Sequence, residues 1–162
     1  MNIPTADEPT ISNRIDWRIL HELQLNARMS IVELAERVGL SKTPCAERVR
    51  KLEARGVLQG YQAIISPEAV GAAHIAMVQV VMARTNADSL DQFNAAVKDI
   101  PEVQCCFMIA GGFDYLMKIR TRNIQAYRQL MSEIIANLPG VQQTHSYVVM
   151  ESVKDSSAVA LP

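Results

Sequence analysis

Cysteine is scarce in this 162-residue chain, and the three present, Cys45, Cys105 and Cys106, form no CxxC pair. An odd number, with two of them adjacent, is poorly placed for ordinary disulfide geometry, so the thiols are expected to be reduced and mostly buried. The three histidines, His21, His74 and His145, stand far apart, and none lies at ligand spacing from a cysteine; no metal site and no cofactor are expected. No apolar run approaches the roughly twenty residues of a membrane span, which excludes a transmembrane helix. The opening MNIPTADEPT lacks the basic and apolar regions of a signal peptide, so a cytoplasmic location is expected. Net charge is also missing, at −1, so any charged working surface must be local.

Local asymmetry is present. Residues 14–66 hold nine Lys/Arg against six Asp/Glu, or +3, whereas residues 67–162 hold seven against nine, or −2. Within the basic segment, GLSKTPCAERVRKLEARG at 39–56 predicts a short helix from about Lys42, with Ser41 as N-cap and Pro44 in the first turn, where a missing N–H costs nothing. Cys45, Val49 and Leu52 recur at i, i+4 and i+7 and form a narrow apolar stripe. The opposite face carries Lys42, Thr43, Arg48, Arg50 and Lys51, with Arg55 just beyond. Guanidinium and ammonium groups suit phosphates, and short side chains near the helix start can reach base edges. A solvated amphipathic helix would show the same charge run.

The preceding stretch weighs between these readings. Order is expected from Ile15, with Asp16 as cap and Ile19, Leu20 and Leu23 buried. SIVE at 30–33 is a capping box opening a second helix with Ile31, Leu34, Ala35 and Val38 inward, and Gly39 can take the positive φ that ends it. A short helix, a turn containing Gly and a second Ser-capped helix make a helix-turn-helix, completed by the helix before it. A purely structural three-helix bundle is the alternative, but the cationic face falls on the helix that the motif assigns to the major groove. The loosely alternating VLQGYQAII at 57–65 suits a strand pair or wing. Residues 1–13 read as a disordered arm, 14–66 as the helix-turn-helix domain and 67–73 as a linker.

Residues 74–151 contain an internal repeat: strands at 74–83 and 103–110 around a helix at 89–97, then strands at 115–120 and 141–150 around a helix at 124–137. The halves share wording, IPEVQ at 100–104 and LPGVQ at 138–142. Two βαβ units in tandem predict a ferredoxin-like sandwich with both helices on one face. HIAMVQVVMA and THSYVVM are apolar on both alternating sets, so the other face needs cover, and a second copy is the expected occupant. The tail, 152–162, is expected to be flexible. The fold class is therefore α+β, an N-terminal three-helix winged helix-turn-helix plus a C-terminal ferredoxin-like βαββαβ regulatory domain.

IDWRILHELQLNARMSIVELAERVGLS, SKTPCAERVRKLEARGVLQGYQA and AGGFDYLMKIR together resemble the Lrp/AsnC, or feast/famine, family of transcriptional regulators over residues 14–151. The resemblance implies a transcriptional regulator of amino-acid metabolism genes that binds double-stranded DNA and an amino-acid effector. It also implies a homodimer assembling to a tetramer or octamer, with no membrane association and no catalysis. The DNA-binding residues are expected to be Ser41, Lys42, Thr43, Arg48, Arg50 and Lys51. Effector binding is expected around the turn, at Met108, Gly111, Gly112, Phe113 and Asp114, with Thr144 and Ser146 as further polar contacts. Accessible backbone N–H groups at the glycines suit a carboxylate, and Asp114 can either face an ammonium group or bond the backbone of its own turn. GGFDYLMK and CCFMIAG look closest to members controlling proline or other single-amino-acid catabolic genes. A small ferredoxin-like dimeric enzyme or an interaction adaptor without DNA binding is the alternative, but His74, His145 and Tyr147 show no dyad spacing.

Overall fold

A computed structural model describes Ile11 and residues 13–162. The chain divides into two compact units, Met1–Ile64 with Ser156–Pro162, and Ile65–Asp155. The arm expected over 1–13 lies outside the described residues except at Ile11, which is buried in the first core, and Asn13.

The first unit is built on three helices, α1 (Arg14–Leu25), α2 (Ile31–Val38) and α3 (Lys42–Ala54). Asn13, not Asp16, caps α1: its side-chain oxygen accepts from the Ile15 N–H at 2.8 Å. Asp16 falls within the first turn, where a carboxylate still favours the helix dipole. Ser30 accepts from the Glu33 N–H at 3.2 Å, while the Glu33 carboxylate turns away to Arg37 at 2.9 Å. Gly39 ends α2 at φ +74°. Ile19, Leu34, Val38, Cys45 and Leu52 fill the core. Arg18 of α1 donates to the Val38 carbonyl at 3.3 Å and to the Arg37 carbonyl, so a guanidinium satisfies the open carbonyls at the α2 C-terminus.

The expected strand pair over 57–65 is not formed; residues 57–66 have no regular structure. Gly56 adopts φ +68° and residues 57–58 bend directly after it, which takes the chain out of a continuous strand at its start. A ladder also needs a facing strand, and no strand among the described residues pairs with this segment.

The second unit follows the repeat. Strands β1 (His74–Met82), β2 (Val103–Met108), β3 (Tyr115–Thr121) and β4 (Val141–Val148) alternate with α4 (Ala87–Lys98) and α5 (Ile124–Glu133), the latter continued by a 3-10 turn at Ile135–Asn137. The sheet order is β2-β3-β1-β4, antiparallel throughout. Asn86 and Asn123 cap the two helices. Ala76, Val78 and Val80 of β1 and Tyr115, Met117 and Ile119 of β3 alternate onto the helix side, where they meet Phe93, Val97, Tyr127 and Leu130. The Phe93 and Tyr115 rings lie 4.3 Å apart. The opposite parity, including Met77, Gln79, Val81, Leu116, Lys118 and Arg120, faces away from α4 and α5.

The tail is engaged at two places. Asp155 pairs with Lys118 and, at 3.5 Å, with Arg120, and Gln24 of α1 bonds the backbone of Val159.

Candidate nucleic-acid interface and effector site

Helix α3 presents its first turn and one flank to solvent. Ser41, Lys42, Thr43, Arg50 and Lys51 are exposed, while Cys45, Val49 and Leu52 anchor the helix beneath them. The side chains of Lys42, Arg50 and Lys51 take part in none of the hydrogen bonds or ion pairs found among the described residues.

Ser41 stands at the N-cap but its hydroxyl makes no capping bond. The cause is Pro44. In α2, α4 and α5 the cap side chain accepts from the N–H three residues on, at Glu33, Ser89 and Ala126. In α3 that position is proline, which has no N–H to offer. The Ser41 hydroxyl therefore leaves the first N–H groups of α3 uncapped by its side chain, and a helix N-terminus with such open donors favours an anion.

Arg48 is placed differently from the other expected contacts. Its Nη1 donates to Asp16 at 2.8 Å, and the side chains are 32% and 14% exposed, which marks a partly sheltered pair bracing α3 against α1. The pair joins residues thirty-two apart, a separation that helical spacing cannot reveal. Arg48 is thus a positioning residue in this structure. Replacing Arg48 with Ala leaves the Asp16 carboxylate without its partner; thermal unfolding should register a loss of about 1 kcal/mol, with the salt slope of DNA binding unchanged.

The Gly111–Gly112–Phe113–Asp114 turn joins β2 to β3. Asp114 is built into the backbone: its N–H donates to the Val80 carbonyl at 2.9 Å, its carbonyl accepts from Ile109 at 2.8 Å, and its Oδ2 accepts from the Met82 N–H at 2.7 Å. The last bond compensates a register shift between Val81 and Met82 in the β1–β4 ladder. Of its two expected roles, the carboxylate holds backbone, though that of β1 rather than of its own turn. Gly111 and Gly112 are exposed and have no positive φ; a Cβ at Gly111 meets Ile109 at an ordinary 3.6 Å, and at Gly112 nothing within 4 Å. Met108 is exposed and Phe113 half-buried.

Thr144 and Ser146 are elsewhere. Met108, Tyr115, Val80 and Thr144 form one row across the sheet, which sets Thr144 two strands from Tyr115, about 10 Å away. Both polar residues line an open cleft of about 610 Å³ between β4 and α5, with Tyr127, Arg128, Met131 and Glu133. Tyr127 donates to Ser146 across its floor, and burial pushes the phenol's pKa up, so that it remains a donor. The expected effector residues therefore fall into two groups, and the second shares its cleft with Arg128 and Glu133 of α5, which in the sequence read as an ordinary helix surface.

Cys45 and Cys106 are quiet thiols. Burial raises the pKa of Cys45, and burial together with Cys105 pushes Cys106 up to about 11, opposite to what a reactive thiolate needs. Among the described residues, no helix is long and apolar enough to cross a membrane, and no cluster of His, Cys, Asp or Glu fits a metal ion.

A Ser- and Lys-tipped second helix of a helix-turn-helix, followed by a ferredoxin-like domain, defines a DNA-binding protein with a separate ligand-sensing domain. Family models agree on both parts: a winged helix-turn-helix DNA-binding domain matches residues 12–59 and the Lrp/AsnC ligand binding domain matches residues 75–159. The chain belongs to the Lrp/AsnC family of transcriptional regulators. It is 51% identical over 146 residues to the proline dehydrogenase transcriptional activator of Rhodobacter capsulatus, covering 90% of this chain and 95% of that protein. It is 47% identical over 149 residues to the leucine-responsive regulatory protein of Escherichia coli K12, covering 92% and 91%. Among solved structures, a transcriptional regulator of Neisseria meningitidis in complex with L-methionine superposes with a TM-score of 0.86 at 33% identity, covering 93% and 97% of the two chains. The family is one of DNA-binding regulators, and the enzyme alternative has no support from it.

Proposed function

We propose that α3 enters the major groove of double-stranded DNA, with Lys42, Arg50 and Lys51 on phosphates and Ser41 and Thr43 near the helix start. On this reading the chain regulates genes of amino-acid metabolism, and an amino acid is its effector. The observation that carries the DNA contact is the unpaired cationic flank of α3 beside a cap hydroxyl that Pro44 leaves without an internal donor. The relatives named for proline dehydrogenase and leucine response, and the methionine-bound neighbour, support the effector class. Proline or another single catabolised amino acid is the first candidate. Fluorescence anisotropy on DNA from the chain's own upstream region tests the first part. Specific binding is expected, and Arg50→Ala should lower the salt slope by about 0.9; binding indifferent to sequence and salt overturns it.

The effector contacts are the exposed turn at Gly111 and Gly112 and the β4–α5 cleft. In the cleft Arg128 suits a carboxylate and Glu133 an ammonium group. Gly111→Ala and Gly112→Ala should fold with unchanged midpoints, because neither position needs glycine's freedom, so any loss of amino-acid affinity in calorimetry reports ligand contact. Asp114→Ala, by contrast, should cost about 1–2 kcal/mol of stability by orphaning the Met82 N–H. If no amino acid binds at millimolar concentration, the effector reading fails.

We further propose that a second copy covers the sheet face turned away from α4 and α5, as the first step toward tetramers or octamers. Phe107 and Tyr147, 54% and 53% exposed, flank half-buried Met77, Val81 and Leu116 on that face, a patch of the kind that marks an interface. Sedimentation velocity at micromolar concentration should show no monomer.

A further inference from the structure

Helix α1 holds a stretch of this chain from far along the sequence. Gln24 brackets one residue of the C-terminal segment: its Nε2 donates to the Val159 carbonyl at 2.8 Å, and its Oε1 accepts from the Val159 N–H at 2.9 Å. A single primary amide thus satisfies both backbone groups of Val159, as a neighbouring strand would. Two residues on, Leu161 packs against the core of the three helices. Pro162 then lines a hollow of about 450 Å³ with Arg14, Trp17, Arg18 and His21. The segment also carries a local turn of its own, in which the Ala158 N–H donates to Ser156 Oγ at 3.1 Å.

Two features make this a contact that can open. Both Gln24 bonds are exposed, and Val159 itself is 65% exposed, so the docked form gains little over hydration. The residue just before the segment, Asp155, is separately fixed by Lys118 and Arg120. Release of 156–162 therefore need not disturb β3. By chain order the first unit is attached twice, through the irregular residues 55–73 and through this segment.

We propose that residues 156–162 are a tethered ligand of α1, a strap recognised through its backbone by Gln24 and anchored by Leu161. When docked it protects the C-terminal half of α1; when released it leaves the helix-turn-helix unit attached by residues 55–73 alone. Small and apolar side chains suit such recognition, because the bracket reads a peptide group and only Leu161 needs a fitted surface.

Hydrogen exchange on the full-length chain tests this, with Gln24→Ala, Gln24→Glu and a chain ending at Asp155. Alanine is the better helix former, so faster exchange in Gln24→Ala cannot come from propensity, and a glutamate cannot donate to the Val159 carbonyl. The amides of residues 20–25 should exchange about tenfold faster in all three variants, the change expected from losing one or two modest contacts. Those of β1 and β3 should be unchanged. Unaltered exchange in α1, or acceleration spread equally over the sheet, overturns the proposal.

Discussion

Lys42→Ala, Arg50→Ala and Lys51→Ala combined should lower DNA affinity by about 10²-fold per recognition helix at physiological salt, and the salt slope by about 2.7, since each phosphate contact contributes about 0.9. The fold should not change. All three side chains are exposed, and the stripe that seats α3, Cys45, Val49 and Leu52, lies on its other side. Anisotropy titrations from low to physiological salt measure both quantities, and circular dichroism confirms that the helices remain. An unchanged slope would remove this flank of α3 from the interface. The contrast with Arg48→Ala gives the experiment its resolution: that variant should lose stability through Asp16 while keeping its slope. Two arginines only two residues apart in α3, and so on different sides of the helix, thus separate a group that holds the reading helix from one that faces outward.

That separation also shows what a sequence can carry. Helix positions and the repeat follow from periodicity and from Ser30, Gly39 and the two Pro-containing strings, because these are local signals with fixed geometry. The exposed cations of α3 follow for the same reason. Arg48 does not: helical spacing puts it on the polar flank, but only the packing of α1 against α3 brings Asp16 within 2.8 Å. Asp114 is similar, since its partner Met82 belongs to a strand thirty-two residues earlier and is exposed to it by a register shift. The Ser41 hydroxyl was legible in part: Pro44 was visible as a residue without a donor, and the same fact deprives the cap of its usual partner. The wing is a different case, in which alternation in VLQGYQAII promised pairing that the chain does not supply.

Gly140→Glu should destabilise the second unit by about 2–4 kcal/mol, although the internal repeat makes it look harmless. IPEVQ and LPGVQ place Glu102 and Gly140 at equivalent positions, and both strings close the same turn, with Val103 N–H on the Ile100 carbonyl at 3.1 Å and Val141 N–H on the Leu138 carbonyl at 3.2 Å. Ile100 and Leu138 are both buried. The turns differ in hand at the third residue. Gly140 has φ +75°, and among the described residues no non-glycine, Glu102 included, has positive φ. Proline followed by a left-handed glycine is the type II pattern, and a side chain there costs about 1–2 kcal/mol. Space adds to this, because a Cβ at 140 would lie 2.9 Å from Met82 Cε, at the tip of a side chain only 5% exposed. The Gly140 carbonyl also accepts from the Ala83 N–H at 2.8 Å, which ties this turn to the end of β1. Urea unfolding should show the loss as a lower midpoint at constant slope. The reciprocal Glu102→Gly should cost no more than about 1 kcal/mol. If the two exchanges cost the same, the second turn has adopted the form of the first, and the left-handed residue is not what holds β4 in register.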